Sequence, residues 1–368
     1  MQVPASIVRK LEMRQQEDAF RVLRVQDPGR IDFSSNDYLG IVRSGTLKPQ
    51  EGLATGATGS RLLTGHAVLC DTVEAQIAVF HKAESALIFN SGYAANLGLI
   101  ASVPQREDTL LYDERCHASI RDGVRLSLAR SYSFRHNDVE NLRQKIRNAS
   151  GAVYIVVESV YSMDGDRAPL TELTDVCLET GAHLIVDEAH ATGLFGEKGE
   201  GMVVEMGLEQ EVFCRVHTFG KSLGCMGAAV VGPLQLREYL INFARPLIYT
   251  TALPPVAVDI IRQSYALFPG MMKERDDIAS LTTYLYNALV SRFGGRVTGK
   301  HGPILSLQVP GNAEVKKWCA VLQQEGMDIR PILSPTVARG TERIRICIHA
   351  YNTSGDADLL LSVLDGMA

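Results

Sequence analysis

Lys221 stands between glycines in "HTFGKSLG" (217–224), just after the apolar run "VFCRV" (212–216). A lysine in a tight turn at a strand end is either a solvated surface charge or a held amine able to bond to a carbonyl carbon. Upstream, "VDEAHATG" (186–193) puts Asp187 at the end of a hydrophobic run, with His190 just beyond it. An unpaired buried carboxylate is costly, so Asp187 needs a partner, and a protonated ring nitrogen would serve. "YDERCHAS" (112–119) sets His117 past another apolar run, as a structural histidine or as a flat ring stacked on an aromatic cofactor. "NSGYAAN" (90–96) opens a helix. The N–H groups of Gly92 and Tyr93 there, with the helix dipole, suit a phosphate; an ordinary capped helix start reads the same way. "ESVYSMDGD" (158–166) leaves Glu158 and Ser162 beyond a buried strand, with Asp164 and Gly165 explained by turn chemistry.

One cofactor asks for all of these groups. Pyridoxal phosphate needs a lysine amine for its aldehyde, a carboxylate at its pyridine nitrogen and a cup for its phosphate, and it gains from a stacked ring. Lys221, Asp187, the turn at Gly92 and His117 meet those needs. The letters "DEAH" also suggest the magnesium-binding strand end of a nucleotide-driven helicase. That reading needs a P-loop, G-x-x-x-x-G-K-[ST]. "GKS" occurs at 220–222, but the first glycine position holds Arg215, and the order of the two motifs is reversed. The seven cysteines are scattered without a CxxC pair, which predicts reduced thiols in cytoplasm and no metal site.

These groups need elements to hold them. From about residue 70 to 232 apolar runs alternate with helical patterns. "ALIFN" (86–90), "TLLYD" (109–113), "AVYIVVES" (152–159), "HLIVDEAH" (183–190), "VFCRVHTF" (212–219) and "AAVVG" (228–232) read as strands. Several are continuously apolar, as in strands covered on both faces of a mainly parallel sheet. In such sheets ligands lie outside the carboxyl ends of the strands, where the polar clusters fall. Residues 4–24 predict one helix, on Ile7, Leu11, Phe20 and Leu23. "PILSLQV" (303–309), "DIRPIL" (328–333) and "RIRICIH" (343–349) predict strands of a smaller C-terminal α/β unit. The expected division is an N-terminal helix and arm (1–50), a large cofactor-binding domain (51–250) and a small domain (251–368). With 46% apolar residues and a net charge of −5 in 368 residues, the chain predicts a globular protein with no general nucleic-acid surface. No apolar run reaches the ~18 residues of a membrane span, and no signal or transit pattern opens the chain, so a cytoplasmic protein is expected.

The clusters "FSSNDYLG", "SGYAAN", "HAS", "HND", "SMDGD", "VDEAHATG", "TFGKSLG", "ARPLIYTTALPP" and "GTERIRICI" together resemble the α-oxoamine synthases, pyridoxal phosphate enzymes of the aspartate-aminotransferase fold (fold type I). The resemblance runs over nearly the whole chain. It implies a decarboxylating condensation of an amino acid with an acyl thioester. "FSSNDYLG", "HND" and "FARPLIYTTALPP" look most like the branch that joins L-alanine to a pimeloyl thioester, on CoA or acyl carrier protein, in biotin synthesis. Glycine-using branches making 2-amino-3-ketobutyrate, 5-aminolevulinate or ketosphinganine are the alternatives; Ser60, smaller than a threonine, leaves room for alanine's methyl. The resemblance further implies that Lys221 carries the cofactor and moves protons at the substrate α-carbon, that Asp187 keeps the pyridine nitrogen protonated, and that His117 stacks on the ring. It puts His190 and Ser162 near the ring oxygen. Gly92, Tyr93 and Thr218 would hold the phosphate, joined by Thr251 from a second subunit of a homodimer with shared sites. Arg345 would bind the amino-acid carboxylate, helped by Asn36 from across the dimer, and Arg21 would lie near the acyl substrate. Where the family has a small-residue run after that arginine, this chain has "IHAYN" (348–352).

Overall fold

The computed structural model describes residues 3–367. The chain parts into two compact units. One comprises Leu39–Tyr161 and Arg167–Arg275; the other comprises Met1–Tyr38, Ser162–Asp166 and Asp276–Ala368. Strand β1 (Ile31–Asp32) belongs to the second unit.

The first, larger unit is built on one sheet. Its strands are β2 (Ser85–Phe89), β3 (Thr109–Asp113), β4 (Arg130–Phe134), β5 (Val153–Glu158), β6 (His183–Asp187), β7 (Cys214–Thr218) and β8 (Ala228–Gly232). Their order is β2-β8-β7-β6-β5-β3-β4. β7, β6, β5, β3 and β4 run parallel, and β8 pairs antiparallel with both β7 and β2. β2 and β7 are buried at every residue; the apolar run of β2 predicts this, whereas β7 also buries the polar Arg215 and His217. β4 is the strand that the sequence reading missed. It is an edge strand paired only with β3, and Arg130, Ser131 and Ser133 keep it too polar to stand out.

Helices α1 (Ala5–Gln16), α2 (Ile41–Ser44), α3 (Val68–Phe80), α4 (Gly92–Ser102) and α5 (Ala118–Leu126) come first along the chain. α4 follows β2 directly, with Ser91 as its N-cap accepting the Ala94 N–H. α5 follows β3, with His117 at its N-cap. Three of the predicted site residues, Gly92, Tyr93 and His117, are thus placed by strand-to-helix turns at the carboxyl edge. α1 ends well short of the predicted residue 24. Asp18 adopts a left-handed φ of 54°, and Ala19 N–H turns back to Arg14 O, a C-terminal stop that the apolar spacing of Phe20 and Leu23 concealed. Phe20 and Leu23 are exposed.

In the second unit β9 (Val297–Thr298), β10 (Ile304–Gln308), β12 (Arg330–Ile332) and β13 (Arg343–Cys347) form an antiparallel sheet of order β12-β13-β10-β9. The single strand predicted over 328–333 is broken at Ile329, and its first part, β11 (Met327–Asp328), pairs instead in parallel with β1. Among the described residues no helix is long and apolar enough to cross a membrane.

Candidate active site

β5 and β6 pair in register so that Glu158 lies beside Asp187, each the last residue of its strand. β7 ends next to them, and Lys221 follows in a turn closed by Gly224 N–H on Lys221 O and Cys225 N–H on Phe219 O. Lys221 Nζ lies 2.8 Å from His190 Nε2. Asp187 is buried. Its Oδ1 accepts the Ala189 N–H at 2.9 Å and its Oδ2 accepts Asn96 Nδ2 at 2.7 Å. The His117 N–H donates to Glu158 Oε1 at 2.6 Å, and its ring Nδ1 meets Ser119 Oγ at 2.8 Å.

These groups feel one another's charge. His117 reaches solvent on one side, yet the protein packed around it holds its imidazole below the ordinary histidine value; Asp187 opposes that shift and Lys221 adds to it. Glu158 is pushed up to about 8, first by burial and then by the charge of Asp187. The larger unit therefore gathers Lys221, His190, Asp187, His117 and Glu158 at one sheet edge.

The residues present fit pyridoxal phosphate. The first N–H groups of a helix have no partner inside it. At α4 the Ala94 N–H goes to Ser91 Oγ, which leaves those of Gly92 and Tyr93 for a phosphate. A Cβ added at Gly92 would overlap Thr218 Cγ2, so only glycine lets the helix start close on the end of β7. Thr218 Oγ1 lies 3.5 Å from Ala189 O. The Tyr93 side chain is exposed, with its phenol O–H on the Asp122 carboxylate. Thr251 is exposed too, its carbonyl tied to Asn90 Nδ2 at 2.7 Å. Among the described residues no cluster of His, Cys, Asp and Glu could hold a metal ion.

In the smaller unit Arg345 is held from several directions. Nε donates to Ser162 O at 2.8 Å, and Nη2 donates to Asn36 Oδ1 at 2.9 Å and to Tyr38 Oη at 3.2 Å. Nη1 meets no acceptor among the described residues and is the donor open to a ligand carboxylate. Asn36 meets Arg345 within one chain, where the sequence reading had it reach across a dimer. Tyr38 escaped the sequence reading. Its buried O–H donates to Asn36 Oδ1 at 3.0 Å, and burial pushes its pKa well above the ordinary phenol value, so that it stays neutral. The turn carrying Ser162 is fixed by a buried ion pair between Asp164 and Arg343. Gly165 has a φ of 67°, and a Cβ there would overlap Ile304 O. The His349 ring is satisfied internally, by Asn352 Oδ1 at 2.9 Å and Ser35 Oγ at 3.0 Å, and stacks on Tyr351. Arg21 is exposed and donates to Thr336 Oγ1 at 3.0 Å.

The aminotransferase class I and II family model matches residues 28–364. The chain is 40% identical to the 8-amino-7-oxononanoate synthase of Emericella nidulans, over 96% of this chain and 93% of that one. A solved serine palmitoyltransferase from S. paucimobilis with bound PLP superposes with a TM-score of 0.89, at 28% identity over 98% of this chain and 96% of that one. The 8-amino-7-oxononanoate synthase of Francisella tularensis superposes with a TM-score of 0.80, at 27% identity over 93% of this chain and 98% of that one.

Proposed function

The chain belongs to the aminotransferase class I and II family and, within it, to the α-oxoamine synthases, pyridoxal-phosphate-dependent acyltransferases of fold type I, and from that premise we propose that it joins L-alanine to a pimeloyl thioester to give 8-amino-7-oxononanoate for biotin synthesis. The observation that carries the reading is Lys221, held 2.8 Å from His190 at the sheet edge that buries Asp187, in a chain with 40% identity to a synthase of that name. In the overall reaction the alanine α-carbon gains the acyl group, the C–S bond breaks to release CoA or a carrier thiol, and the carboxylate leaves as carbon dioxide.

When bound, pyridoxal phosphate supplies an aldehyde that bonds to amines and a protonated pyridine ring that takes up electrons from the carbon being deprotonated. The chain's own groups do the rest. Lys221 carries the cofactor through its amine and moves the proton at the substrate α-carbon. Asp187 holds the proton on the pyridine nitrogen, and His117 packs against the ring. His190 and Ser162 take the ring oxygen. Gly92, Tyr93 and Thr218 bind the phosphate. Arg345, steadied by Asn36 and Tyr38, takes the amino-acid carboxylate with its open Nη1. Arg21 lies on the path of the acyl chain.

Carbon dioxide release with each thioester tests the substrate assignment. Alanine with pimeloyl thioester is expected to exceed glycine or serine, and acetyl, succinyl or palmitoyl thioesters, by at least tenfold in kcat/KM. That factor matches what one well-fitted methyl and a matched chain contribute. The likeness to serine palmitoyltransferase favours a second reading, in which serine or glycine with a different acyl chain wins; that result would replace alanine and pimelate.

The same reading makes the enzyme a cytoplasmic homodimer in which Thr251 of the partner subunit completes each phosphate cup. Cofactor binding and dimerisation are then linked, because a ligand held at an interface stabilises the assembly by mass action. Mixing inactive Lys221→Ala with inactive Thr251→Arg is expected to restore activity on subunit exchange, since one site of each mixed dimer is intact. A dead mixture despite proven exchange rules out the shared cup.

A further inference from the structure

Asn96 lies inside α4, 2% exposed, on the face that otherwise buries Ala95, Leu99 and Ile100. A buried amide needs hydrogen-bond partners. Asn96 Nδ2 donates to Asp187 Oδ2 at 2.7 Å and to Ser119 Oγ at 3.0 Å, which uses both of its hydrogens. A carboxylate only accepts, so the amide must turn its nitrogen, and not its oxygen, toward Asp187. Asn96 Oδ1 is left buried without a partner, the consequence of donating twice.

The direction of donation then carries onward. Ser119 Oγ accepts from Asn96 on one lone pair and lies 2.8 Å from His117 Nδ1, to which its own hydrogen can turn. The Ser119 backbone N–H points at the same ring nitrogen from 3.2 Å. With two donors aimed at Nδ1, the neutral ring carries its proton on Nε2.

We propose that Asn96 is a positioning residue, which aims the carboxylate of Asp187 and, through Ser119, locks His117 as the Nε2–H tautomer. This rests on the reading of Asp187 and His117 as contacts of the cofactor only for its effect on binding; the relay itself is a property of the protein. A proton on Nδ1 would face the Ser119 N–H and would also displace the Ser119 hydroxyl hydrogen, so the hydroxyl of the relay adds to the backbone N–H in resisting protonation of the ring. The charges on the His117 ring are Asp187 and Lys221 at the strand ends and Arg121 and Asp122 from α5, while Glu158 from β5 accepts the His117 backbone N–H. All of them remain when the relay is cut at Ser119.

The test uses the cofactor-free and the cofactor-loaded protein with nitrogen-15 histidine, the His117 signals being identified by their loss in His117→Gln. The wild type is expected to show Nδ1 bare and Nε2 protonated. Both variants keep the backbone N–H at position 119, so Asn96→Leu and Ser119→Ala are each expected to raise the Nδ1-protonated share of the cofactor-free ring above that of the wild type and to move the His117 protonation midpoint up by as much as about one pH unit. Ser119→Ala keeps the Asn96 bond to Asp187, and it decides the relay if Asn96→Leu fails to fold. A merely structural asparagine would lower the melting temperature and move neither readout. A wild-type ring protonated on Nδ1, or unchanged tautomer and midpoint in Ser119→Ala, overturns the relay. Asn96→Leu is also expected to weaken binding of pyridoxal phosphate, followed by absorbance, by roughly tenfold, the worth of one hydrogen bond to a charged group. Unchanged affinity overturns the aiming of Asp187. A wild type that binds no pyridoxal phosphate instead sinks the proposed function and leaves the tautomer result to be judged alone.

Discussion

Lys221→Ala is expected to lower turnover on the order of 10⁴-fold and to abolish the absorbance band of cofactor bonded to protein. Proton transfer by a positioned side chain contributes typically 10²–10⁴-fold, and loss of the covalent tether removes the pre-set orientation as well. No neighbouring amine can take over: His190, whose Nε2 lies 2.8 Å from Lys221 Nζ, is an imidazole and forms no stable bond with an aldehyde. Pyridoxal phosphate should still bind, through the N–H groups at the start of α4 and the hydroxyl of Thr218. The variant is therefore expected to show the spectrum of the free aldehyde, displaced by dialysis. Wild type that stays colourless with added cofactor, or a variant that keeps the bonded band, would remove Lys221 from its assigned place.

The clusters that supply this chemistry were legible because the sheet advertises itself. β5 and β6 are mostly apolar runs buried along most of their length, and each ends on a carboxylate that an interior strand could not otherwise tolerate. Position along the chain then implied position at the carboxyl edge. What escaped notice depends on partners distant in sequence. Asn96 and Ser119 lie in the quoted motifs "SGYAAN" and "HAS", but only the packing of α4 beside α5 joins them to Asp187 and His117. A polar residue on the apolar stripe of α4 was the available signal. Tyr38 gains its place only from Arg345, which donates to its hydroxyl from 307 positions further along the chain. The pairing of β1 with β11 joins segments nearly 300 residues apart through two-residue strands, too short to leave any periodic pattern.

Two buried carboxylates stand side by side at the site, and they are expected to answer opposite to each other when made neutral. Asp187→Asn should keep cofactor but lose roughly 10²–10³-fold in kcat, the size of effect seen when one preorganised electrostatic contact to developing charge is removed. A neutral amide cannot keep a ring nitrogen protonated, and its NH2 group would also face the donating Nδ2 of Asn96. Glu158 is the register partner of Asp187 and is buried as deeply. Burial, with the charge of Asp187 added, pushes it up to about 8, so at neutral pH it is already largely the uncharged acid. Its task is to accept the His117 N–H, which the carbonyl of a glutamine does equally well. Glu158→Gln should therefore stay within about threefold of wild-type turnover, as expected when a hydrogen bond is kept and no group is left unsatisfied. The stability of the cofactor-free protein separates the two residues again. An acid that binds its proton more tightly in the folded state leaves stability whole below its ordinary value of 4.5 and erodes it as the pH rises toward about 8. Glu158→Gln removes that erosion, so its melting temperature should gain on the wild type steadily from pH 5 to 8. Melting curves that stay parallel over that range, or a Glu158→Gln enzyme as crippled as Asp187→Asn, would show that Glu158 works as an anion and that the charge at this sheet edge is shared by both carboxylates.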